Sequence, residues 1–364
     1  MEDRVFLQEG VFLSRAFSQA MKPSRIVPFY YRASGSFRKE DITIATLVTS
    51  NRFEVLAGLV QRYQGPVSVA IHVTDSPQHR AALISALHDL YTKTPNLATY
   101  LDVHLVLDVF ERQFNTWRNV ARFFAAHRTD FVMMLDVDFA LCTDFRSRIQ
   151  DAAGSDVMVR MREGTAAFVV PAFEYTQYEE GLNQSSFPRD KEELLSLVRE
   201  GRIGMFHAAW QPGHNSTDYH RYYKALPGEV YNAVRYQQAY EPYVIFKNTG
   251  TPWCDERFIG YGGNKAACLF EMYLSGIDFF VLADDFIIHQ SHAYAEQIRK
   301  QERKYNRKTY TEFRKETCLK YLQIFLSENA LDTIRGYNLQ SECRKVKGFS
   351  RIAAEVGFRP MSSN

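Results

Sequence analysis

Apolar positions along this chain alternate between short continuous runs and helically spaced stretches. Asp41–Thr49 (DITIATLVT) reads as a buried strand. In Arg52–Tyr63, Phe53, Leu56, Leu59, Val60 and Tyr63 recur at helical spacing and predict an amphipathic helix. Gly65-Pro66 breaks the chain, and Val67–Val73 reads as a second strand. Ser76-Pro77 opens a second helix, with proline at a favoured first-turn position. Leu101–Leu107, Thr116–His127 and Phe131–Leu135 continue as strand, helix and strand. Such alternation predicts an α/β fold: a mostly parallel central sheet with helices on both faces.

Beyond this point the pattern is less regular. Phe168–Ala172 and Tyr243–Lys247 read as strands, and Asp190–Glu200 as a charged helix. Residues 203–240 form a polar, aromatic stretch without clear period, the kind of segment that supplies functional loops. Gly263–Leu274 predicts a helix entered through Gly260-Tyr261-Gly262-Gly263, followed by the apolar runs Phe279–Ala283 and Phe286–His289. Past residue 295 the chain turns basic and predicts a solvated helix. The expected organisation is an extension over 1–40, a catalytic domain over 41–295 and a helical extension over 296–364.

Composition narrows the function. A 364-residue chain that is 46% hydrophobic can bury a large core. A formal net charge of +2 without a dominant charged block gives no footprint for nucleic acid. No apolar run is long enough to span a membrane, and the opening MEDRVFLQEGVFLSRAF does not read as a signal peptide. The five cysteines contain no CxxC pair, which argues against a zinc ribbon and leaves an odd thiol in a monomer.

The chemistry concentrates at a few places. The run Phe131–Leu135 delivers Asp136 and Asp138 at the C-terminal end of a strand, the edge where open α/β sheets bind ligands. Two such carboxylates repel each other unless a cation lies between them. Mn²⁺ or Mg²⁺ there would neutralise the diphosphate leaving group of a nucleotide sugar. Phe286-Ile287-Ile288 ends in His289, with His292 beyond, and an imidazole beside carboxylates suits Mn²⁺. His289, which directly ends the apolar run, is the preferred ligand of the two. The glycines of Cys254–Lys265 allow close backbone approach to a ligand and open a helix. Arg118 and Asn119 begin the helix before the Asp136 strand and are candidates to face the nucleotide.

Taken together, these stretches resemble glycosyltransferase family 49, which includes the C-terminal domain of the LARGE xylosyl/glucuronyltransferases and β-1,4-glucuronyltransferase 1. The resemblance runs over roughly 41–295. It rests on Arg118-Asn119-Val120-Ala121, Asp136-Val137-Asp138-Phe139, Val170-Pro171-Ala172-Phe173-Glu174, Phe187-Pro188, Gly213-His214 and Glu241-Pro242-Tyr243. Asp255 with Arg257-Phe258, Gly260, Gly262 and Asn264-Lys265, and Ile288-His289 with His292-Ala293, complete it. The resemblance implies a GT-A fold and an inverting, metal-dependent transfer from a UDP-sugar to a glycan hydroxyl. Glucuronic acid is the expected sugar, with UDP-xylose and UDP-GlcNAc as alternatives. It assigns the metal to Asp136, Asp138, His289 and His292. Arg118, Asn119, Asp136, His214, Gly262, Asn264 and Lys265 become donor contacts. No carboxylate follows the glycine step, where many such enzymes carry their base, so Asp255 and Glu241 are the base candidates. Gly263 stands where the family usually has tryptophan. The resemblance also implies a Golgi or secretory lumen, although neither a membrane anchor nor a preceding xylosyltransferase domain is present in the sequence.

Two rival readings remain. A sugar nucleotidylyltransferase needs a glycine-rich basic loop after the first strand, where this chain has Thr49-Ser50-Asn51-Arg52. A non-catalytic sugar-binding protein on the same fold would be marked by loss of the Asp136/Asp138 pair, which is kept.

Overall fold

The computed structural model describes residues 25–355 apart from 75, 110, 152, 153, 234, 294 and 295. Residues 1–24 of the expected N-terminal extension and 356–364 of the C-terminal one lie outside the described residues. The strands are β1 Arg25–Tyr31, β2 Ile42–Val48, β3 Val67–Val73, β4 Leu101–Leu107, β5 Phe131–Met134, β6 Phe139–Leu141 and β7 Ala166–Val170. Then come β8 Ala172–Tyr175, β9 Ile203–Met205, β10 Val230–Asn232, β11 Tyr243–Lys247, β12 Asp278–Leu282 and β13 Ile287–His289. The helices that matter for the site are α1 Phe53–Tyr63, α2 Pro77–Lys93, α3 Phe114–Ala125, α4 Asn264–Leu274, α5 Glu296–Ser327 and α6 Ile334–Cys343.

Nine strands form one sheet in the order β1-β4-β3-β2-β5-β11-β7-β12-β10. From β4 to β5 the pairing is parallel, each crossover running through a helix. This is why β2 and β3 read as continuous apolar runs: both their faces are covered. Beyond β5 the direction mixes, since β11 lies antiparallel between β5 and β7, and β12 runs parallel to β7. The edge strand β1, with Pro28 and a register break between Val27 and Tyr31, closes the other end against β4.

A second sheet of four strands, β6-β13-β8-β9, takes over where three strands of the large sheet end. β5 passes into β6 through Leu135–Asp138. β7 passes into β8 at Pro171, which has no N–H to continue the ladder but whose carbonyl still accepts from Ile287 N at 2.9 Å. β12 passes into β13 through 283–286. The predicted strand Phe168–Ala172 is therefore two strands in two sheets, divided at its proline. Asp136 and Asp138 lie in the turn between the sheets, closed by Phe139 N donating to Asp136 O at 3.1 Å.

The basic C-terminal stretch forms α5, which packs on α4 and, with α6, buries Phe313, Cys318, Leu322 and Phe325. Its charged face is solvated, and its apolar face completes the core. Cys318 and Cys343 form a disulfide joining α5 to α6, Cys254 and Cys268 form another that ties the glycine loop's approach to α4, and Cys142 is free.

Candidate active site

β13 runs antiparallel to β6 with His289 opposite Phe139, so the histidine arrives one residue from Asp138. Gln290 N donates to Asp138 O at 2.8 Å and fixes the turn. The result is a cluster of Asp138, His289 and His292, whose ligand atoms all lie within 4.8 Å of one another. His292 Nε2 is 3.3 Å from Asp138 Oδ2, and Arg52 Nε is 3.2 Å from Oδ1. Burial first, and the neighbouring His292 next, push the His289 imidazole down to about 3, so it is held neutral with a lone pair to give. Two imidazoles and a carboxylate form a donor set that fits Mn²⁺.

The structure does not bring Asp136 into that cluster. Its carboxylate turns toward α3, β11 and α4. Arg118 Nη2 donates to Oδ1 at 3.2 Å, Tyr243 Oη donates to Oδ2 at 2.8 Å, and Lys265 Nζ lies 3.8 Å from Oδ2. Burial would raise its proton affinity, but Lys265, Arg118 and the tyrosine hydrogen bond outweigh it and hold the group well below the usual carboxylate range. Lys265 in turn is lowered to about 8 by burial.

The remaining sequence-predicted residues divide by what they touch. Asn264 accepts from Arg118 Nη1 at 2.9 Å, so it positions the arginine. Asn119 donates to Cys254 O at 2.8 Å and Glu256 Oε1 at 3.0 Å and accepts from Cys254 N at 3.0 Å. Its whole amide braces the loop. Gly262, at φ 100°, lets the loop pass against Arg303 of α5: a Cβ there would sit 3.0 Å from the Arg303 Cα. His214 is buried, its ring near that of Tyr243 at 6.4 Å, and burial keeps it neutral. Of the base candidates, Asp255 is taken at both oxygens by Arg257, at 3.1 Å and 2.7 Å. Glu241 accepts from Ala266 N at 3.2 Å, and burial raises its proton affinity against the pull of Lys265.

The sequence motifs assign no site role to Arg52 or Tyr243, although each carries a signal. Arg52 follows directly on β2, at the same sheet edge as Asp136. Tyr243 opens β11, whose antiparallel course beside β5 brings it back to that edge. His207 is a third: it stands at φ 53°, its N–H donates to Glu174 Oε1 at 2.8 Å, and its ring stacks on Phe206.

A parallel α/β half-sheet with an acidic turn at its C-terminal edge, a carboxylate–histidine cluster beside it and a glycine loop opposite defines a glycosyltransferase of the GT-A class. The chain belongs to glycosyltransferase family 49: the family described as "Glycosyl-transferase for dystroglycan" matches residues 41–114 and 110–322. It is 34% identical to the xylosyl- and glucuronyltransferase LARGE2 of Rattus norvegicus over 264 residues, 70% of this chain and 35% of that protein. To LARGE2 of Homo sapiens it is 32% identical, over 70% of this chain and 33% of that protein. To human LARGE1 it is 26% identical, over 74% and 34%. The chain thus spans about a third of the length of the curated relatives it matches.

Proposed function

We propose that this chain transfers glucuronic acid from UDP-glucuronic acid to a hydroxyl of a glycan acceptor, with inversion at the anomeric carbon. The observation that carries this reading is the division of labour at the β5–β6 turn. Asp138 joins two histidines, while Asp136 is held ionised by two cations and a tyrosine, in a chain of a glycosyltransferase family. Asp138, His289 and His292 would hold Mn²⁺ or Mg²⁺, which supplies positive charge to the departing diphosphate.

The chain's own groups do the rest. Asp136, fixed from three sides, is an acceptor for hydroxyls of the donor and sets its orientation. Arg52 reaches the same turn from the end of β2 and adds positive charge on the diphosphate side. Lys265 and His214 border the sugar. As the acceptor oxygen bonds to the anomeric carbon and the bond to UDP breaks, the acceptor proton passes to a carboxylate. Glu241 suits that role better than Asp255, because its proton affinity is raised and it has no arginine on both oxygens.

The catalytic unit in this reading is 41–295, with the helices beyond it packed against the glycine loop. Two disulfides favour an oxidising compartment such as the Golgi lumen. No helix among the described residues is long and apolar enough to cross a membrane.

The test is hydrolysis of a UDP-sugar panel by the purified chain with Mn²⁺, Mg²⁺ or chelator. Metal-dependent release of UDP from UDP-glucuronic acid is expected. No turnover of any donor would favour the sugar-binding alternative, and faster turnover of UDP-xylose or UDP-GlcNAc would reassign the donor.

A further inference from the structure

Trp210 is the most solvent-exposed of the tryptophans, at 62%, in a protein that buries most of its aromatic rings. It sits on a short 3-10 segment, Ala208–Gly213, between His207 and His214. Its backbone N–H donates to His207 O at 2.7 Å, and its indole lies over Gly213, where a Cβ would meet the ring at 3.3 Å. The backbone is thus fixed and the ring rests on Gly213 with most of its surface open, between the two histidines that lie near Lys265 and Asp136.

Beside this ring opens a groove of about 330 Å³, at the low end of small-ligand sites, lined by Trp210, Tyr236, Gln237, Gln238, Glu342 and Lys345. It lies between residues 210–212 and 236–239 on one side and the end of α6 on the other. Its backbone is fixed: Gln237 N donates to Ser216 Oγ at 3.1 Å, and Tyr310 Oη donates to Gln238 O. The Tyr236 ring is stacked flat on Tyr273 at 4.0 Å.

Three of the lining side chains carry a buried polar atom with no hydrogen-bond partner: Tyr236 Oη, Gln237 Oε1 and Glu342 Oε2. Tyr236 is 5% exposed and Glu342 1% exposed. Glu342 spends its other oxygen on Lys345. Buried polar groups are ordinarily satisfied, so a concentration of unpartnered ones around a single groove points to a ligand that supplies donors and acceptors.

We infer that this groove is a subsite for the acceptor glycan, one or more residues away from the sugar that receives the transferred unit. A pyranose matches it group by group. The apolar face of the ring stacks on the indole, as carbon-bound hydrogens do on aromatic faces. Sugar hydroxyls both donate and accept, and so serve the Gln237 and Gln238 amides and the exposed Lys345 ammonium at the groove's rim. The 3-10 segment joins Trp210 at the groove to His207 and His214 at its ends, so an extended acceptor running along it reaches from the groove toward the donor site. This inference rests on the glycosyltransferase reading above for the identity of its ligand.

The experiment measures binding apart from turnover. Binding to the full chain is titrated by calorimetry with β-1,4-xylotetraose and with a chondroitin tetrasaccharide, a neutral and a uronate-bearing probe. Trp210→Ala and Glu342→Gln are run alongside, with UDP-glucuronic acid hydrolysis as the control for the donor site. Saturable binding of at least one tetrasaccharide is expected, weakened about two- to tenfold in each variant, with hydrolysis unchanged. Failure of both probes to bind, or wild-type affinity in Trp210→Ala, overturns the subsite while leaving the donor site intact. Binding that depends on Trp210 in a chain that hydrolyses no UDP-sugar upholds the groove and overturns the transferase reading.

Discussion

Lys265 Nζ lies 3.0 Å from the centroid of the Tyr243 ring, and both side chains converge on Oδ2 of Asp136. The ammonium is held over the π face of the same phenol whose hydroxyl serves the carboxylate. Arg118 completes the set on Oδ1. One acidic residue is thereby kept ionised by two cations and a phenol, two residues from another that faces two histidines.

This separation predicts different phenotypes for the two aspartates. Asp138→Ala should weaken Mn²⁺ binding by more than about 100-fold, since it removes a ligand and not just an outer partner. Asp136→Ala should leave Mn²⁺ affinity within about threefold and lower kcat/KM by about 100-fold. Calorimetric Mn²⁺ titration of both variants decides it; equal loss of metal in both would return Asp136 to the ligand set.

Tyr243→Phe tests the phenol that donates to Asp136. The ring under Lys265 stays, and only the hydrogen bond to Asp136 goes. A loss of about 1–3 kcal/mol is expected for a hydrogen bond to a charged group, read as a drop of roughly 10- to 100-fold in kcat/KM for UDP-sugar hydrolysis. Unchanged kinetics would mean that Arg118 and Lys265 suffice to fix the carboxylate.

Much of this architecture was legible in the chain. β2, β3 and β4 announce themselves as apolar runs because parallel strands are covered on both faces, and the helical period of Phe53–Tyr63 survives intact. The acidic turn was legible because it ends an apolar strand. What stayed hidden depends on pairing between distant segments. Nothing local in Phe168–Ala172 says that its two halves join different sheets; only Pro171 hints at a break. The partition of Asp136 from Asp138 is set by Lys265, more than a hundred residues away. The role of the glycines was likewise masked, because Glu302 and Arg303, which press on Gly260 and Gly262, come from a helix that reads by itself as merely basic.

His104 gives the fold an acid sensitivity that can be isolated. It is fully buried; Phe29 N donates to its Nδ1 at 3.0 Å, and its Nε2 lies 3.1 Å from Ser68 Oγ, which itself donates to Ala121 O. Protonation would set Nδ1–H against the Phe29 N–H. Burial lowers its value from 6.5 to about 4, with Asp102 opposing and Arg128 and His127 assisting. The unfolded chain therefore binds this proton first as the pH falls. The stabilisation is whole above about 6.5 and is lost progressively down to about 4, roughly 3 kcal/mol at most. Urea unfolding at several pH values should show a shallower decline in His104→Gln than in wild type over that window, and parallel curves would refute the assignment.

The disulfide between Cys318 and Cys343 joins α5 to α6 across 25 residues. Closing a loop of that size restricts the unfolded chain and is worth about 3 kcal/mol in the chain-entropy account. Cys318→Ala with Cys343→Ala should lower the melting temperature by several degrees while leaving Mn²⁺ affinity unchanged, because the cluster is built on β6 and the 289–292 segment. A loss of metal binding would show that α5 and α6 hold the site together and not just the core.

The last prediction concerns the donor sugar. A uronate that enters a water-poor site must find a cation or several donors, since a buried carboxylate without a partner costs several kcal/mol. Arg257 and Lys265 are the two cations that the glycine loop and its helix supply. Arg257 is already committed to Asp255 at 2.7 Å and to Glu316 at 2.6 Å, and its role is to close the loop. Lys265 is buried, lies at the start of α4 and faces Asp136 at 3.8 Å, which is longer than a direct hydrogen bond. Its ammonium therefore has donor capacity left for a second anion. Lys265→Met keeps length and apolar volume and removes only the charge. If Lys265 reads the uronate, the variant should lose about 10- to 100-fold in kcat/KM for UDP-glucuronic acid and much less for UDP-glucose, which differs only at that carboxylate. The loss of the Asp136 contact weakens both donors alike, so the ratio of the two isolates the uronate contact. A ratio unchanged from wild type, with UDP-glucuronic acid still preferred, would pass the role to Arg118 or to the backbone N–H groups of the loop. A wild-type preference for UDP-glucose or UDP-xylose would remove the need for such a cation altogether.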